Sequence, residues 1–489
     1  MRKTVTNTVV KSDHATAGAA AEAAGLVRLL SASVLLVLTC AFAASAQISQ
    51  PPPFPTISGS IPAGSATGDV RHLTLRDAID MALRYNLGAV ESGENIRAFR
   101  GQRLQALSAL LPQVSAGFSH NAAQVTSASL GITSPFIPTV IGPFGYSTVA
   151  VSVNQIVFNV ESIRRFRAAQ AAEQAASLSN DDTLDLVTLA VGNAYLLVID
   201  TASRIDAFEA QVQSARALNG QAVDAFEAGT SPRIDVTRTS VQLHTEQVNL
   251  TVARNNQAIA KLNLARVIGL PLGQAFDLAD PLPYVDLDPK SVDEALRTAY
   301  ASRSDFRATQ RVVESAQQQL AAAGAQRYPA LAVNSDYGRQ GPEWFNGSHN
   351  IFAVQTSVNV PVFTSGRIES ALTQAEAALQ QRRAEAENLR GQIDYDVRTA
   401  LLNLQAAKEQ VAVAGENVNL AGENLARAQE RFAAGVTDSV EVVQAQQSVS
   451  SANDQYITGV YSHNLAKLQL ARAMGVSRTS FSQYLPGRP

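Results

Sequence analysis

Residues 393–435 read IDYDVRTALLNLQAAKEQVAVAGENVNLAGENLARAQERFAAG. Apolar or small side chains recur in this stretch at alternating spacings of four and three residues, namely at Ile393, Val397, Ala400, Leu404, Ala407, Val411, Ala414, Val418, Ala421, Leu425, Ala428 and Phe432. Such a seven-residue period is typical of a coiled-coil helix. Gly435 follows as the expected C-cap glycine, because glycine accepts a positive φ. The pattern predicts one helix from about Arg367 to Ala434, roughly 100 Å long at 1.5 Å per residue.

The same pattern occurs once more in the first half of the chain. Positions 206 residues earlier run from Val187 to Phe226 and are apolar at all but two sites. They predict a second long helix, from about Ser162 to Ala228, with Gly229 at its end. Residues 75–83 also match residues 292–300, at an offset of 217. The chain is therefore predicted to be a tandem duplication of one unit.

A return path must follow the first long helix. The sequence predicts two shorter helices, at about Ile234–Ile268 and Val292–Arg327, separated by the Gly- and Pro-containing residues 269–289. The chain would thus run down one long helix and come back in two pieces. Heptads alone are equally compatible with a coiled-coil spacer that has no transport role.

Short segments of period two lie between the helices. Apolar side chains alternate with small or polar ones in residues 149–153 and 352–360, and more weakly in residues 114–118 and 331–337. This alternation predicts one β-hairpin in each repeat. The first repeat carries 11 extra residues, which are expected to form a longer loop at residues 131–135 and 141–145.

These strands, at about 10 residues each, fit either soluble hairpins or membrane crossings. In a membrane, four strands per chain could not close a barrel, and an open sheet edge is prohibitive in lipid. The protomer would then have to oligomerise, with 8 strands from two chains or 12 from three. The predicted fold class is mainly α with a small transmembrane β part.

The N-terminus has the pattern of a secretory signal. Basic residues precede the apolar run Ser31–Ala43, and Ala44-Ser45-Ala46 follows, so removal of residues 1–46 is expected. The alternatives are a membrane anchor, or a lipoprotein acylated at Cys40. Residues 47–70 are rich in Pro, Ser and Gly and are predicted to be a tether. No later segment is expected to form a transmembrane helix.

Composition argues against several functions. The formal net charge is −3, and about −5 without residues 1–46, which disfavours nucleic acid as a partner. Cys40 is the only cysteine, so no disulfide or thiolate chemistry is expected after cleavage. No catalytic motif, cofactor motif or metal-ligand spacing occurs, so we expect no enzyme, cofactor or metal site. The remaining histidines are expected on the surface or in loops, at His72, His120, His244, His349 and His463.

Several duplicated motifs resemble those of the TolC-like outer-membrane efflux proteins, over residues 71–477. They are residues 73–83, Leu111-Pro112, Val360-Pro-Val-Phe363 with Gly366, Phe226-Glu-Ala-Gly-Thr230 with Asp235-Val236, Ala265–Pro271, and Phe432-Ala-Ala-Gly435 with Val440-Glu-Val442. The expected units are a first efflux repeat at 71–275, a second at 276–477 and a C-terminal tail at 478–489.

The resemblance implies a homotrimer with a 12-stranded barrel in the lipid of a Gram-negative outer membrane, continued by an α-helical barrel in the periplasm. It also implies two partners, a periplasmic adaptor protein and an inner-membrane transporter. The expected function is a passive conduit that carries small molecules such as drugs, toxic compounds or metals out of the cell. Type I protein secretion is an alternative within the same architecture, and a structural coiled-coil envelope protein is the alternative outside it.

The resemblance further places the pore constriction at the second helical turn. By position, Glu441 matches the first of two ring-forming acids and Gln444 the second, so a single acidic ring is expected. Asp438 lies in the same turn. Carboxylates around a narrow axis favour cations. A solvated helix face is the alternative for these acids.

The resemblance also suggests a latch between the two turns. Asp235 matches the acid of this latch, but Phe432 and Thr437 replace its usual hydroxyl-bearing aromatic residue and its usual arginine. A weaker latch that uses Arg233 is therefore expected. The adaptor is expected to dock at the exposed turns, at Gly229, Thr230, Gly435 and Val436.

Overall fold

A computed structural model of the chain describes residues 59–131, 136–280, 284–287, 291–342 and 347–484. The predicted signal (1–46), most of the predicted tether and the last five residues of the predicted tail lie outside the described residues.

The first repeat contains two short helices, two long strands and two further helices. Its elements are β1 (Arg71–Leu73), α1 (Leu75–Tyr85), α2 (Leu87–Ser108), β2 (Gln113–Thr126), β3 (Val140–Phe158), α3 (Val160–Glu227), α4 (Arg233–Ile268) and β4 (Phe276–Leu278). The second repeat has the same order. Its elements are α5 (Val292–Ser302), α6 (Ser304–Ala325), β5 (Ala330–Pro342), β6 (His349–Asn359), α7 (Arg367–Ala433), α8 (Ser439–Ala473) and α9 (Ser477–Tyr484).

Both long helices are confirmed within two residues of their predicted ends, and the predicted heptad positions of α7 from Ile393 to Ala414 are buried. The prediction of one helix over residues 292–327 is wrong, because the chain breaks at Arg303, which has an extended backbone. Asn86 breaks the helix at the equivalent place in the first repeat, and its side chain caps α2 by accepting a hydrogen bond from Gly88 N. Neither break contains proline or glycine, so no local breaker signal marked it.

The four long strands form one antiparallel sheet in the order β2-β3-β5-β6, so each repeat contributes one hairpin as predicted. Ala116, Val151, Tyr337 and Phe352 form a continuous row across all four strands. The neighbouring row on the opposite face contains Ser115, Ser152, Asp336 and Ala353. The sheet therefore has one apolar face and one face of small and polar side chains.

The prediction of a longer loop at residues 141–145 is wrong, because these residues lie inside β3. The strands β2 and β3 have 14 and 19 residues, whereas β5 and β6 have 13 and 11. Residues 141–145 pair with β2, which satisfies their backbone groups better than a loop would. The insertion thus lengthens the first hairpin.

The helices pack side by side in a layer with two free edges. Near the strands the order is α2-α3-α6-α7, and near the helical turns it is α4-α3-α8-α7. The helix α7 is therefore one edge along the whole layer, and α2 and α4 share the other. The strands at the edges of the sheet, β2 and β6, directly follow α2 and directly precede α7. The sheet and the helical layer are thus open on the same two sides.

Two apolar cores occupy equivalent places in the two repeats. The first contains Val187, Val191 and Leu264, and the second contains Ile393, Val397 and Leu470, each 206 residues later. The helix α3 includes a stretch that is long and apolar enough to cross a membrane. This corrects the expectation that no later segment is so apolar. Side chains of this helix that are buried in the first core account for the composition, namely Val187, Val191, Tyr195 and Leu196.

Short contacts at the predicted domain boundaries extend the repeats. The strand β4 begins at residue 276 but pairs in parallel with β1, so this small sheet lies across the predicted boundary. Tyr195 donates a hydrogen bond to the carbonyl of Leu73 over 3.0 Å and fixes β1 to α3. Residues 478–484 of the predicted tail belong to the helix α9, and Arg478 binds Asp181 of α3.

The histidine prediction is wrong for His463, which is fully buried in α8. His72, His120, His244 and His349 are exposed. The ring of Tyr284, in the segment between the repeats, packs on the ring of His463 with centroids 4.8 Å apart. Lys467, one turn further along α8, is also buried and donates to the carbonyl of Val285 over 3.1 Å. The segment between the repeats therefore covers His463.

Candidate functional site

The two helical turns at the end of the layer have the same backbone geometry. Gly229 and Gly435 have φ values of 72° and 71°, in the left-handed region that favours glycine. In each turn, amides that follow the long helix donate back to its last carbonyls, as in a Schellman C-cap. Thr230 and Val436 follow these glycines and are exposed. Both turns therefore end a long helix abruptly and present small exposed residues.

Each turn also contains a hydroxyl group that binds a carboxylate four residues later. Ser231 donates to Asp235 over 2.8 Å, and Thr437 donates to Glu441 over 2.5 Å. Both pairs are 206 residues apart, so the contact is duplicated with the repeat. The spacing was visible in the sequence, but neither hydroxyl was assigned this role.

Asp235 is buried between the two hairpins, with its side chain 6% exposed. Ser439 of α8 donates to it over 2.6 Å, and Arg238 binds both Asp235, at 3.1 Å, and the Ser439 hydroxyl, at 2.9 Å. Burial acts to raise the pKa of Asp235, but the hydrogen bonds from Ser439 and Ser231 and the charge of Arg238 hold this pKa below its usual 3.8. Asp235 therefore links the first hairpin to the second as a carboxylate.

Arg233 is exposed at the start of α4, and the structure does not bring it to Asp235. The guanidinium that binds Asp235 belongs to Arg238, three residues further along α4 and on the same helix face. The i, i+3 spacing was a usable signal for Arg238. Ser439 lies 204 residues from Asp235, and no local pattern identified it.

Glu441 lies at the second turn with its side chain 38% exposed, so its carboxylate can meet ions from solution. Arg431, in the last turn of α7, binds it over 2.9 Å. A basic residue is favourable there because it faces the negative end of the helix dipole. Unlike Asp235, Glu441 binds only within its own hairpin, through Arg431 and Thr437, among the contacts of the described residues.

The other predicted constriction residues have varied surroundings. Asp438 is the N-cap of α8 and accepts from the amide of Val440 over 3.0 Å. Phe432 packs against a small apolar cluster of Leu218, Ala428 and Val442. Gln444 is exposed on α8.

A cleft of about 950 Å³ separates the two turns of one protomer. Its walls include Thr230, Pro232, Phe432, Gly435 and Val436, so residues predicted to contact the adaptor line one shared surface. Among the described ranges, no group of three or more His, Cys, Asp or Glu residues lies close enough to hold a metal ion.

Comparison with known families bears directly on this duplicated arrangement. The model of the family described as "Outer membrane efflux protein" matches residues 78–270 and 295–476, which covers both repeats. The chain belongs to this outer membrane efflux protein family. Its place is accordingly the outer membrane of a Gram-negative cell.

Individual relatives are similar over most of the chain. The "Toluene efflux pump outer membrane protein TtgF" of Pseudomonas putida is 22% identical over 417 residues, which are 83% of this chain and 84% of TtgF. The "Alkaline protease secretion protein AprF" of Pseudomonas aeruginosa is 22% identical over 335 residues, which are 67% of this chain and 69% of AprF.

A solved structure shows the same fold. The crystal structure of the outer membrane protein VceC from Vibrio cholerae superposes with a TM-score of 0.72 at 20% sequence identity. The likeness covers 82% of this chain and 96% of VceC. The mainly helical architecture described above is therefore that of an outer-membrane channel of this family.

Proposed function

We propose that the chain is the outer-membrane channel of a tripartite export system, and that it conducts small molecules passively from an inner-membrane pump to the outside. Drugs, other toxic compounds or metal ions would be its cargo. Membership of the efflux family supports the transport role, and the efflux pump relative supports small-molecule cargo. The observation that carries the proposal is the pair of open edges, which a ring of identical copies would join.

The first step concerns the sheet. Its outer strands β2 and β6 are unpaired on one side, and exposed apolar residues such as Phe118, Val149, Phe352 and Val354 lie on the strands. An apolar sheet face fits lipid, but lipid cannot satisfy the backbone groups of an open edge. Joining β6 of one copy to β2 of the next removes both edges. Three copies would provide 12 strands, enough for a lumen.

The second step concerns the helices at the two edges. The helix α4 carries an exposed heptad stripe that includes Val241, Val248, Val252 and Ile259. The helix α7 carries another on the side opposite its buried stripe, with Leu402, Val413 and Leu420. Apolar heptad stripes bury against a neighbouring helix. Contact between α4 of one copy and α7 of the next would cover both stripes in a homotrimer.

The third step concerns the turn end, which would face the periplasm. The cleft between the turns is the proposed docking surface for a periplasmic adaptor, which would connect the channel to the inner-membrane transporter. Three copies of Glu441 would form the single acidic ring around the axis, with Gln444, Thr437 and Asp438 nearby.

Disulfide crosslinking tests the ring. Copies related by rotation keep the same height, and Val252 and Val413 are 23 and 22 residues from the glycines of their turns. Val252→Cys with Val413→Cys should give covalent trimers on oxidation. The pair Val252→Cys with Leu402→Cys is the control, because its positions differ in height by roughly 16 Å. Equal crosslinking of both pairs, or of neither, would contradict the arrangement.

Single-channel recording from purified protein in planar bilayers tests the function itself. Stable conductance is expected. An ordered trimer without conductance would instead favour the structural coiled-coil alternative. The similarity to AprF supports a second candidate, protein secretion. Export assays with each class of inner-membrane partner decide between the two: rescue of drug resistance supports small-molecule efflux, and rescue of protease secretion alone would overturn it.

A further inference from the structure

A cleft of about 280 Å³ lies between α3 and α8, away from the helical turns and from both free edges of the layer. Residues of α3 that line it include Leu196, Ile199 and Asp200, and α8 contributes Tyr456, Tyr461 and Asn464. Because α3 and α8 are interior helices of the layer, joining of copies at α4 and α7 would leave this cleft within one protomer.

Two buried oxygens on the cleft wall lack a hydrogen-bond donor. Asp200 is 9% exposed and Asn464 is 2% exposed, and the Oδ1 atom of each has no partner within the described part of the chain. The other oxygen of Asp200 accepts from Arg204 over 3.0 Å. An acceptor buried without a donor costs about 1–3 kcal/mol, and more when it is charged. Both atoms therefore call for a donor supplied from outside the chain.

The charge around the cleft favours a cation. Asp200 and Asp206 line it, and Asp454 binds the same Arg204 that binds Asp200. Three carboxylates thus surround one guanidinium. Lys467 lies one turn beyond Asn464, but its ammonium donates to the carbonyl of Val285. An entering cation would meet a net negative site.

The remaining lining distinguishes an organic cation from a bare ion. Leu196, Ile199 and Val460 are apolar, and Tyr456 and Tyr461 are aromatic. The Tyr461 hydroxyl already donates to Asn193 over 2.7 Å. Aromatic faces attract ammonium groups, and apolar side chains favour a hydrocarbon body. A volume of about 280 Å³ also far exceeds the roughly 30 Å³ of one water molecule.

We infer that this cleft binds a small organic ammonium ion, whose N–H groups donate to Asp200 Oδ1 and Asn464 Oδ1 while its apolar body lies against Leu196, Ile199 and Val460. The bound cation would bridge α3 of the first repeat and α8 of the second. The inference does not depend on the proposed transport function, because binding is measured on the protein without a pump.

Isothermal titration of the purified full-length protein in detergent with phenethylammonium chloride tests this inference. One saturable site per chain is expected, and the neutral analogue 2-phenylethanol should not compete. Asp200→Asn and Asn464→Leu should each weaken binding at least tenfold, as expected for a lost hydrogen bond to a charged group. Asp224→Asn, a carboxylate on the same helix that lies near the turns and far from this cleft, is the matched control and should bind normally.

Ser203→Phe provides an independent variant, because it fills the cleft without removing either buried acceptor. Loss of binding in this variant, with a normal circular dichroism spectrum, supports the site. The inference is overturned if phenethylammonium gives no saturable heat, or if Asn464→Leu and Ser203→Phe both bind like the wild type. Equal binding of 2-phenylethanol, or saturable binding of K⁺ in place of the amine, would overturn it as well.

Discussion

Ser439 donates a hydrogen bond of 2.6 Å to Asp235, and this contact joins the two hairpins of one protomer. The equivalent acid of the second repeat, Glu441, instead binds Arg431 within its own hairpin. One duplicated carboxylate is thus a buried link, and the other is partly exposed to solution. The two are expected to respond differently to substitution.

The first prediction concerns the link. Ser439→Ala removes the donor to Asp235 and loosens the contact between the hairpins by about 1–3 kcal/mol. Larger conductance and greater uptake of large antibiotics are expected in planar bilayers and in cells. Ser448→Ala, further along the same helix, is the control, since its hydroxyl donates only to its own helix. Conductance unchanged by Ser439→Ala would argue against a latch at this position.

The pH dependence of the link follows from the lowered pKa of Asp235. Because the folded pKa lies below the unfolded value, the stabilisation is fully present above about pH 4 and is lost as the pH falls through the folded pKa. Conductance of the wild type should therefore not change through this group between pH 5 and pH 8, and should rise only in stronger acid. Ser439→Ala should move the rise to higher pH. A wild-type transition near neutral pH would exclude Asp235 as its source.

The acidic ring gives a pair of opposite predictions. Glu441→Ala should lower cation selectivity and weaken block by divalent cations, because it removes the carboxylate from the constriction. Arg431→Ala should raise both, because it removes the positive partner 2.9 Å away. Reversal potentials in a salt gradient measure the selectivity. Glu227→Gln, an exposed acid at the first turn, serves as control. If Glu441→Ala leaves the reversal potential unchanged, Glu441 does not line the pore.

The docking surface predicts a loss of export with the channel intact. Val436→Glu places a charge in the cleft between the turns and should abolish resistance to exported drugs without lowering the yield of trimer. The same substitution at Leu272, which is 61% exposed and lies outside the turns, should preserve resistance. Drug susceptibility and native gel electrophoresis are the measurements. Full resistance in Val436→Glu would remove the cleft from the adaptor contact.

His463 predicts a loss of stability in mild acid. Burial, together with the nearby ammonium of Lys467, lowers its pKa from 6.5 to about 4, although Asp286 acts in the opposite direction and Lys408 adds to the lowering. The unfolded chain therefore binds a proton between these values that the folded chain does not, so stability falls as the pH falls through this window, by up to about 3 kcal/mol. His463→Phe should flatten the dependence of the thermal midpoint on pH. His244→Phe, at an exposed site, should not.

Helix lengths, hairpins and turns were predictable from the sequence because they follow from local periods and from glycine at helix ends. The burial of His463 was not predictable, because it results from a distant segment that passes over α8. The same reason applies to Asp235, whose environment depends on Ser439 in the other repeat. The extra residues of the first hairpin were misassigned because Gly142 and Pro143 are typical of turns, whereas their neighbours pair with β2.

The two open edges have a genetic consequence. A copy in which Val252→Glu spoils only the α4 edge keeps an intact α7 edge, so it can still join wild-type copies in an assembling ring. It would then leave one junction of that ring unsealed. In a cell that expresses both alleles, the mutant should therefore be dominant, because one defective copy inactivates the whole ring that contains it.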